Sequence, residues 1–427
     1  MEKEILKKER KKAIILALNN QSLKNYCFEE DVLEMKNLLD SANIDTLDVI
    51  SQNLDEENKK TYLGKGKIEE VKMILKSKEN ETDIDYIVCN DELSPSQIEN
   101  LEKILEITIL DRTFIILEIF ESRAKTKEAI LQVEIAKLKY MLPRLTGLRK
   151  GLSRQSGGKN KGKGETQLEL DRRYIEDKIS KLKEQLKNLS KERKFQREKR
   201  KKTNIKTASL VGYTNSGKSS TLNLILEKYN NSKKVFQEDM LFATLETSTR
   251  HIKLENNLEF LLTDTVGFIN KLPHSLIEAF KSTLEEIKES DLIIHVVDAS
   301  NKNYINQIEI TNEVLKEISA ENIKVLYAFN KIDKVDDYFF IPSQYDNAIR
   351  YSAKEKINVE DLIEAIEKNL FSSYKTFTFK IPYDKSSYIN LISESSKVIN
   401  IKYEDYIYIE AFVSEYIYNY LNEYIIK

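Results

Sequence analysis

Apolar positions recur along this chain with two periods, near two and near 3.6 residues, and the switches between them predict its elements. The runs "IDTLDVIS" (Ile44–Ser51) and "IDYIVCN" (Ile84–Asn90) are short and bounded by polar residues, so they predict strands. "GKIEEVKMILKS" (Gly66–Ser77) and "SPSQIENLEKIL" (Ser94–Leu105) repeat apolar residues at helical spacing. This alternation predicts a small N-terminal α/β domain over 1–111. From Arg112 the pattern becomes helical. Leu131, Ile135, Leu138 and Leu142 are spaced by four, three and four residues, and Ile175, Ile179, Leu182, Leu186 and Leu189 repeat the scheme. The expectation is two long helices joined by a glycine-rich loop, a helical hairpin over 112–202. Beyond it, "KTASLVG", "LEFLLTD", "LIIHVVD", "IKVLYAFN" and "AIRYS" read as strands, and runs such as "SLIEAFKSTLEEIKES" as helices. That pattern predicts an α/β doubly wound parallel sheet over 203–371. The remainder, 372–427, predicts a small α+β appendage, with strands near Thr376–Ile381 and Tyr406–Phe412 and a Tyr-rich terminal helix.

Composition changes this picture only locally. A chain of 427 residues fits two to four domains. Its 68 Lys+Arg nearly balance 70 Asp+Glu, so bulk charge selects no partner. Charge is nevertheless segregated. From Arg144 to Gly164 there are seven bases and no acid, with five glycines between Gly151 and Gly164. Lys191–Lys206 adds nine bases against two acids. Two such blocks in a net-acidic chain point to a nucleic-acid contact, with Arg149, Lys150, Arg154, Lys159, Lys161 and Lys163 as its candidates. The two cysteines, Cys27 and Cys89, are too few for a disulfide framework and read as buried small hydrophobes. The apolar run Ala13–Leu18 is too short for a membrane span, which leaves a cytoplasmic protein, peripheral membrane association being the alternative. A monomer is expected.

The chemistry sits in five motifs. "GYTNSGKSS" (Gly212, Tyr213, Thr214, Asn215, Ser216, Gly217, Lys218, Ser219, Ser220) follows a strand and opens a helix, the context of a phosphate-binding loop. Lys218 would neutralise the β and γ phosphates and Ser219 would ligate Mg²⁺. Asp264 and Gly267 form D-x-x-G, with Asp264 holding Mg²⁺ and the Gly267 N–H meeting the γ-phosphate. Thr244 in "LFATLETSTR" is the candidate threonine that closes on Mg²⁺ and γ-phosphate; Thr247 and Thr249 are its rivals. Lys218, Thr244 and Gly267 are therefore the candidates to act at the reacting phosphate. In "NKID" (Asn330, Lys331, Asp333), the aspartate can accept from guanine N1–H and the exocyclic amine together, a donor pair adenine lacks. "SAK" (Ser352, Ala353, Lys354) would support guanine O6 through the Ala353 N–H. These motifs, in this order, point to GTP or GDP as ligand. Asn215 is read either as a K⁺ ligand beside the phosphates or as a loop-stabilising residue. His295, inside "LIIHVVD", is read as core, and neither His251 nor His274 has a metal-like partner at useful spacing. One residue breaks the usual pattern. Phe268 follows Gly267, where many GTPases carry a glutamine that orients the attacking water.

Several further stretches carry a resemblance that covers nearly the whole chain. They are "YLGKGKIEEV" (Tyr62–Val71), "NDELSPSQIENLE" (Asn90–Glu102), the run Asp111–Leu145, "GETQLELDRR" (Gly164–Arg173), "LFATLETSTR" and "DTVGFINKLPHSLIEAFKSTLEE". With them the chain resembles the HflX-type ribosome-associated GTPases. It departs from that pattern in carrying lysines before "GETQLELDRR" and Glu-Thr-Ser in "LETSTR". The resemblance implies GTP hydrolysis and binding to the large ribosomal subunit and its rRNA, with dissociation or rescue of stalled or idle ribosomes. A GTPase of ribosome assembly or RNA modification, and a scaffold that merely holds GTP, are the competing readings. "LGKGK" (Leu63–Lys67) is read as an rRNA contact or a turn, with a second nucleotide site as the alternative.

Overall fold

The computed structural model describes residues 10–20, 27–78, 83–145, 167–201, 205–229, 241–242, 248–271, 273, 276, 284–336 and 339–426. They form two compact units. The first runs to Arg193 and takes in Leu241, Phe242, Asn270, Lys271, Pro273 and Leu276; the second holds the rest.

In the first unit, four parallel strands form a sheet of order β2-β1-β3-β4: β1 Lys11–Asn19, β2 Ile44–Asn53, β3 Tyr86–Cys89 and β4 Thr108–Asp111. The apolar run Ala13–Leu18 is thus a sheet-interior strand. Six successive apolar residues suit a strand covered on both faces, and all six are buried. Helices α1 Phe28–Ser41, α2 Lys65–Lys78 and α3 Pro95–Leu105 make the crossovers. α3 starts where expected because Ser94 and Gln97 form a reciprocal cap, with Pro95 at the first turn. Cys89 is buried, whereas Cys27 is only half-buried, at the cap position of α1.

The first arm of the hairpin is not one long helix. α4 Arg112–Arg123 ends at Ala124, and Thr126 caps a new helix, α5 Lys127–Met141, by accepting from the Ala129 N–H. α4 is apolar nearly all round, so it is buried in the first unit, and only α5 forms the seam. There Leu131 and Ile135 pack with Ile179 and Leu182 of α6 Gln167–Lys201; Leu138, Ile175, Leu186 and Leu189 lie at the margin. Leu142 leaves the seam for a short 3-10 turn over Leu142–Arg144. The basic loop, with Arg149, Lys150, Arg154, Lys159, Lys161 and Lys163, lies outside the described residues.

The second unit is built on a six-stranded sheet of order β10-β9-β8-β5-β7-β6. β5 Lys206–Val211, β7 Glu259–Asp264, β8 Leu292–Asp298, β9 Val325–Asn330 and β10 Ala348–Arg350 are parallel. The edge strand β6 Ser248–Lys253 runs antiparallel to β7, so the sheet is mixed. The cause is local: Leu254 and Leu258 close a tight turn at 2.9 Å with Asn257 at φ 64°, and so short a link joins only antiparallel neighbours. A second, antiparallel sheet of order β12-β13-β11-β14 follows, from β11 Lys375–Ile381, β12 Lys397–Tyr403, β13 Ile407–Val413 and β14 Ile425–Ile426. The terminal helix is only Glu415–Tyr420, because the chain then turns back to add β14 to β11. Among the described residues no helix is long and apolar enough to cross a membrane.

Candidate active site

At the C-terminal ends of β5, β7, β8 and β9 the sheet delivers four loops to one place, where open α/β sheets bind their ligands. The loop after β5 turns into α7 Lys218–Tyr229. Its two glycines are forced. At Gly212, φ is +150° and a Cβ would fall 2.2 Å from the Val296 carbonyl; at Gly217, φ is +99° and a Cβ would fall 2.1 Å from Asn330 Nδ2. Asn215 also takes a left-handed conformation, φ 58°, which asparagine tolerates better than most residues. Thr214 Oγ1 and Ser216 Oγ are buried without a hydrogen-bond partner among the described residues. Such hydroxyls suit a loop made to meet a polar ligand.

Lys218 is buried, and its ammonium donates to the Gly212 and Tyr213 carbonyls at 3.1 and 2.7 Å. Burial, together with the nearby Lys331 and against the pull of Asp264, lowers its pKa to about 8. Ser219 Oγ donates to Asp264 Oδ2 at 2.6 Å, so the hydroxyl and carboxylate proposed for Mg²⁺ already face each other. The pair fits a hard, oxygen-seeking cation. Gly267 is equally constrained: a Cβ there would lie 2.8 Å from Thr214 Cα and 2.9 Å from Lys218 Nζ. Next to it Phe268 is 2% exposed. Its N–H donates to the Gly212 carbonyl at 3.1 Å, and its carbonyl accepts from the Thr214 N–H at 2.7 Å.

The base-recognition motifs are tied to this loop by Asn330. Its Nδ2 donates to the Ser216 carbonyl at 2.9 Å, and its Oδ1 accepts from the Ala353 N–H at 2.9 Å. The Ala353 amide expected to reach guanine O6 is therefore engaged with Asn330 in this structure. Ser352 Oγ donates to Asp333 Oδ1 at 2.5 Å. Lys331 reaches back to the Asn215 carbonyl at 2.8 Å and pairs with Asp298 at 2.7 Å. Ser220 lies in the first turn of α7. Lys354 points elsewhere, with an exposed side chain facing Glu355. Thr244 and its rival Thr247 lie outside the described residues; Thr249 is the second residue of β6 and pairs with Thr263, their hydroxyls 3.0 Å apart. His295 is buried against Tyr327, and desolvation lowers its pKa to about 3, so it is a neutral core residue.

Asp298 and Tyr351 were not anticipated. Asp298 closes the apolar strand β8, a position from which an acid can reach the loops, and this was a legible signal. Tyr351 holds Thr221 of α7 at 2.5 Å, a pairing across distant sequence that no local pattern announces.

Three family descriptions match in chain order: the N-terminal region of GTP-binding GTPases over 29–121, their middle region over 123–200, and a 50S ribosome-binding GTPase over 207–331. GTPase HflX of Caldanaerobacter subterraneus subsp. tengcongensis is 41% identical over 94% of this chain and 90% of its own. GTPase HflX of Lacrimispora saccharolytica is 42% identical over 89% and 88%. Among solved structures, a GTP-binding protein of the archaeon Sulfolobus solfataricus in complex with GDP is 25% identical over 85% of this chain and 99% of its own, with a TM-score of 0.44. Identity of this depth along nearly the full length places the chain in the HflX family of GTPases.

Proposed function

We propose that this GTPase is a cytoplasmic switch that docks, in its GTP form, on the large ribosomal subunit, separates or rescues stalled or idle ribosomes, and is released after the subunit stimulates hydrolysis. The observation that carries this reading is Phe268. Its side chain is buried and its backbone is held on both sides by the phosphate loop. A phenyl ring offers no hydrogen bond to water, so nothing at this position orients the nucleophile. A partner has to complete the site. In Ras-type enzymes a partner accelerates hydrolysis by about 10⁵-fold, roughly 7 kcal/mol of barrier.

The roles divide as follows. Lys218 and the loop amides meet the β and γ phosphates, and the Gly267 N–H meets the γ-phosphate. Ser219, Asp264 and Thr244 hold Mg²⁺, which when bound would neutralise charge developing on the phosphates. Asp333, oriented by Ser352, recognises guanine. The loop carrying Arg149, Lys150, Arg154, Lys159, Lys161 and Lys163 supplies cations for rRNA phosphates. Co-sedimentation with purified large subunits tests the switch. Retention with a non-hydrolysable GTP analogue and release with GDP are expected; equal retention in both states would sink it.

A further inference from the structure

Tyr351 directly follows β10 and is fully buried, its ring in the core that also holds Leu222, Leu326 and Leu362. Packing alone would be served by a phenylalanine there. A buried hydroxyl needs a partner, and the partner of Tyr351 lies far off in sequence. Thr221 Oγ1 donates its single proton to the Gly217 carbonyl at 2.8 Å, so at 2.5 Å it accepts from the Tyr351 hydroxyl. Burial raises the Tyr351 pKa, so the proton to be donated stays in place. The result is a buried chain of two hydrogen bonds, from Tyr351 through Thr221 to Gly217, and all three residues belong to the second unit.

The two ends of this chain carry different parts of the nucleotide chemistry. Gly217 precedes Lys218 and is held at φ +99° in the phosphate loop. Tyr351 precedes Ser352, whose hydroxyl donates to Asp333. The Tyr351 backbone is fixed against the same motif: its N–H donates to the Phe329 carbonyl at 2.8 Å, and its carbonyl accepts from the Ile332 N–H at 3.4 Å. Asn330 already joins the base-recognising loops to the phosphate loop, through the Ser216 carbonyl and the Ala353 N–H. A single bridge is a pivot about which two loops can turn. A second bridge, through other residues, removes that freedom. Ribose ties the guanine ring to the phosphates, so Asp333 accepts from both guanine donors only when it stands correctly relative to the phosphate loop. A loop free to turn keeps one of these bonds and loses the other.

We infer that Tyr351 is a positioning residue for guanine specificity, fixing the base-recognising loops against the phosphate loop through Thr221. The inference rests on Asp333 recognising guanine, as proposed above.

Equilibrium titration of the full chain with GDP and with inosine 5′-diphosphate tests it. Inosine lacks the exocyclic amine, so the ratio of the two affinities reads the second bond to Asp333. Tyr351→Phe removes one oxygen and leaves Thr221 bonded to Gly217. It is expected to weaken GDP about fivefold, the worth of one ordinary hydrogen bond, and inosine diphosphate less than about twofold. Thr221→Ser keeps the hydroxyl and is expected to keep the original ratio. Thr221→Ala breaks the bridge from its other end. It is expected to lower the ratio as Tyr351→Phe does, and the double variant to lower it no further. Equal weakening of both nucleotides, which a loss of stability alone would give, would overturn the inference; so would an unchanged ratio or additive effects in the double variant. Asp333→Asn separates this failure from that of the underlying reading. It is expected to abolish the preference for GDP, and an unchanged preference would remove Asp333 from guanine recognition and overturn the inference with it.

Discussion

Asp333 is oriented before any base arrives, by the 2.5 Å hydrogen bond from Ser352. An oriented carboxylate loses little freedom when it accepts two bonds from guanine. Asp333→Asn replaces acceptors by a donor facing the guanine amine. It is expected to weaken GTP by about 3 kcal/mol, roughly a hundredfold, and to favour xanthosine triphosphate, which has a carbonyl at that ring position; competitive titration checks both. Lys218 carries a pH signature. Its pKa is about 8 in the folded protein against an ordinary 10.5. The unfolded chain therefore binds more protons between those values, and the stability of the nucleotide-free protein is expected to rise with pH across that window. Phosphates would restore the charge, so nucleotide binding is expected to take up a proton above pH 8, seen as buffer-dependent heats in calorimetry. Gly217→Ala meets both a left-handed backbone and Asn330 Nδ2, and is expected to cost about 1–3 kcal/mol in a denaturant midpoint. Most of these residues are legible in sequence because each loop carries its chemistry within a few positions. Asn330 was read as a nucleotide contact. Its bonds to Ser216 and Ala353 join loops over a hundred residues apart, which spacing cannot reveal.

At the level of elements, local signals are legible in the chain and long-range ones are not. The helix α3 is legible from its apolar spacing, its start is fixed by the Ser94–Gln97 cap, and Ser94→Ala is expected to cost about 1 kcal/mol of stability in the first unit. The seam between α5 and α6 followed from the spacing of its leucines and isoleucines. The break at Ala124–Thr126 did not, because α4 and α5 are both apolar and helical and only a threonine cap separates them. β1 is not legible by alternation, since an unbroken apolar run lacks the pattern of a half-exposed strand. β4, β12 and β14 are short or lie at a sheet edge, where pairing partners distant in sequence define the strand. The basic loop makes a prediction of its own element. Replacing Lys159, Lys161 and Lys163 by glutamine is expected to reduce the steepness of salt-dependent large-subunit binding by roughly two in log–log slope, if each contacts one phosphate.

For the whole molecule, one unit carries the nucleotide chemistry, while the stretches peculiar to this family lie largely in the other. A hydrolase whose site is complete in one chain would not need a buried phenylalanine at the water-orienting position. On the function proposed above, this site is finished by a partner. The most direct test of this claim is steady-state GTP turnover with and without purified large ribosomal subunits, at fixed Mg²⁺ and in K⁺ and Na⁺ buffers. Slow intrinsic turnover and stimulation by at least about a hundredfold are expected, within the range of known partner effects. Dependence of either rate on K⁺ would assign Asn215 to that cation. Turnover unchanged by the subunit in both buffers would contradict the claim.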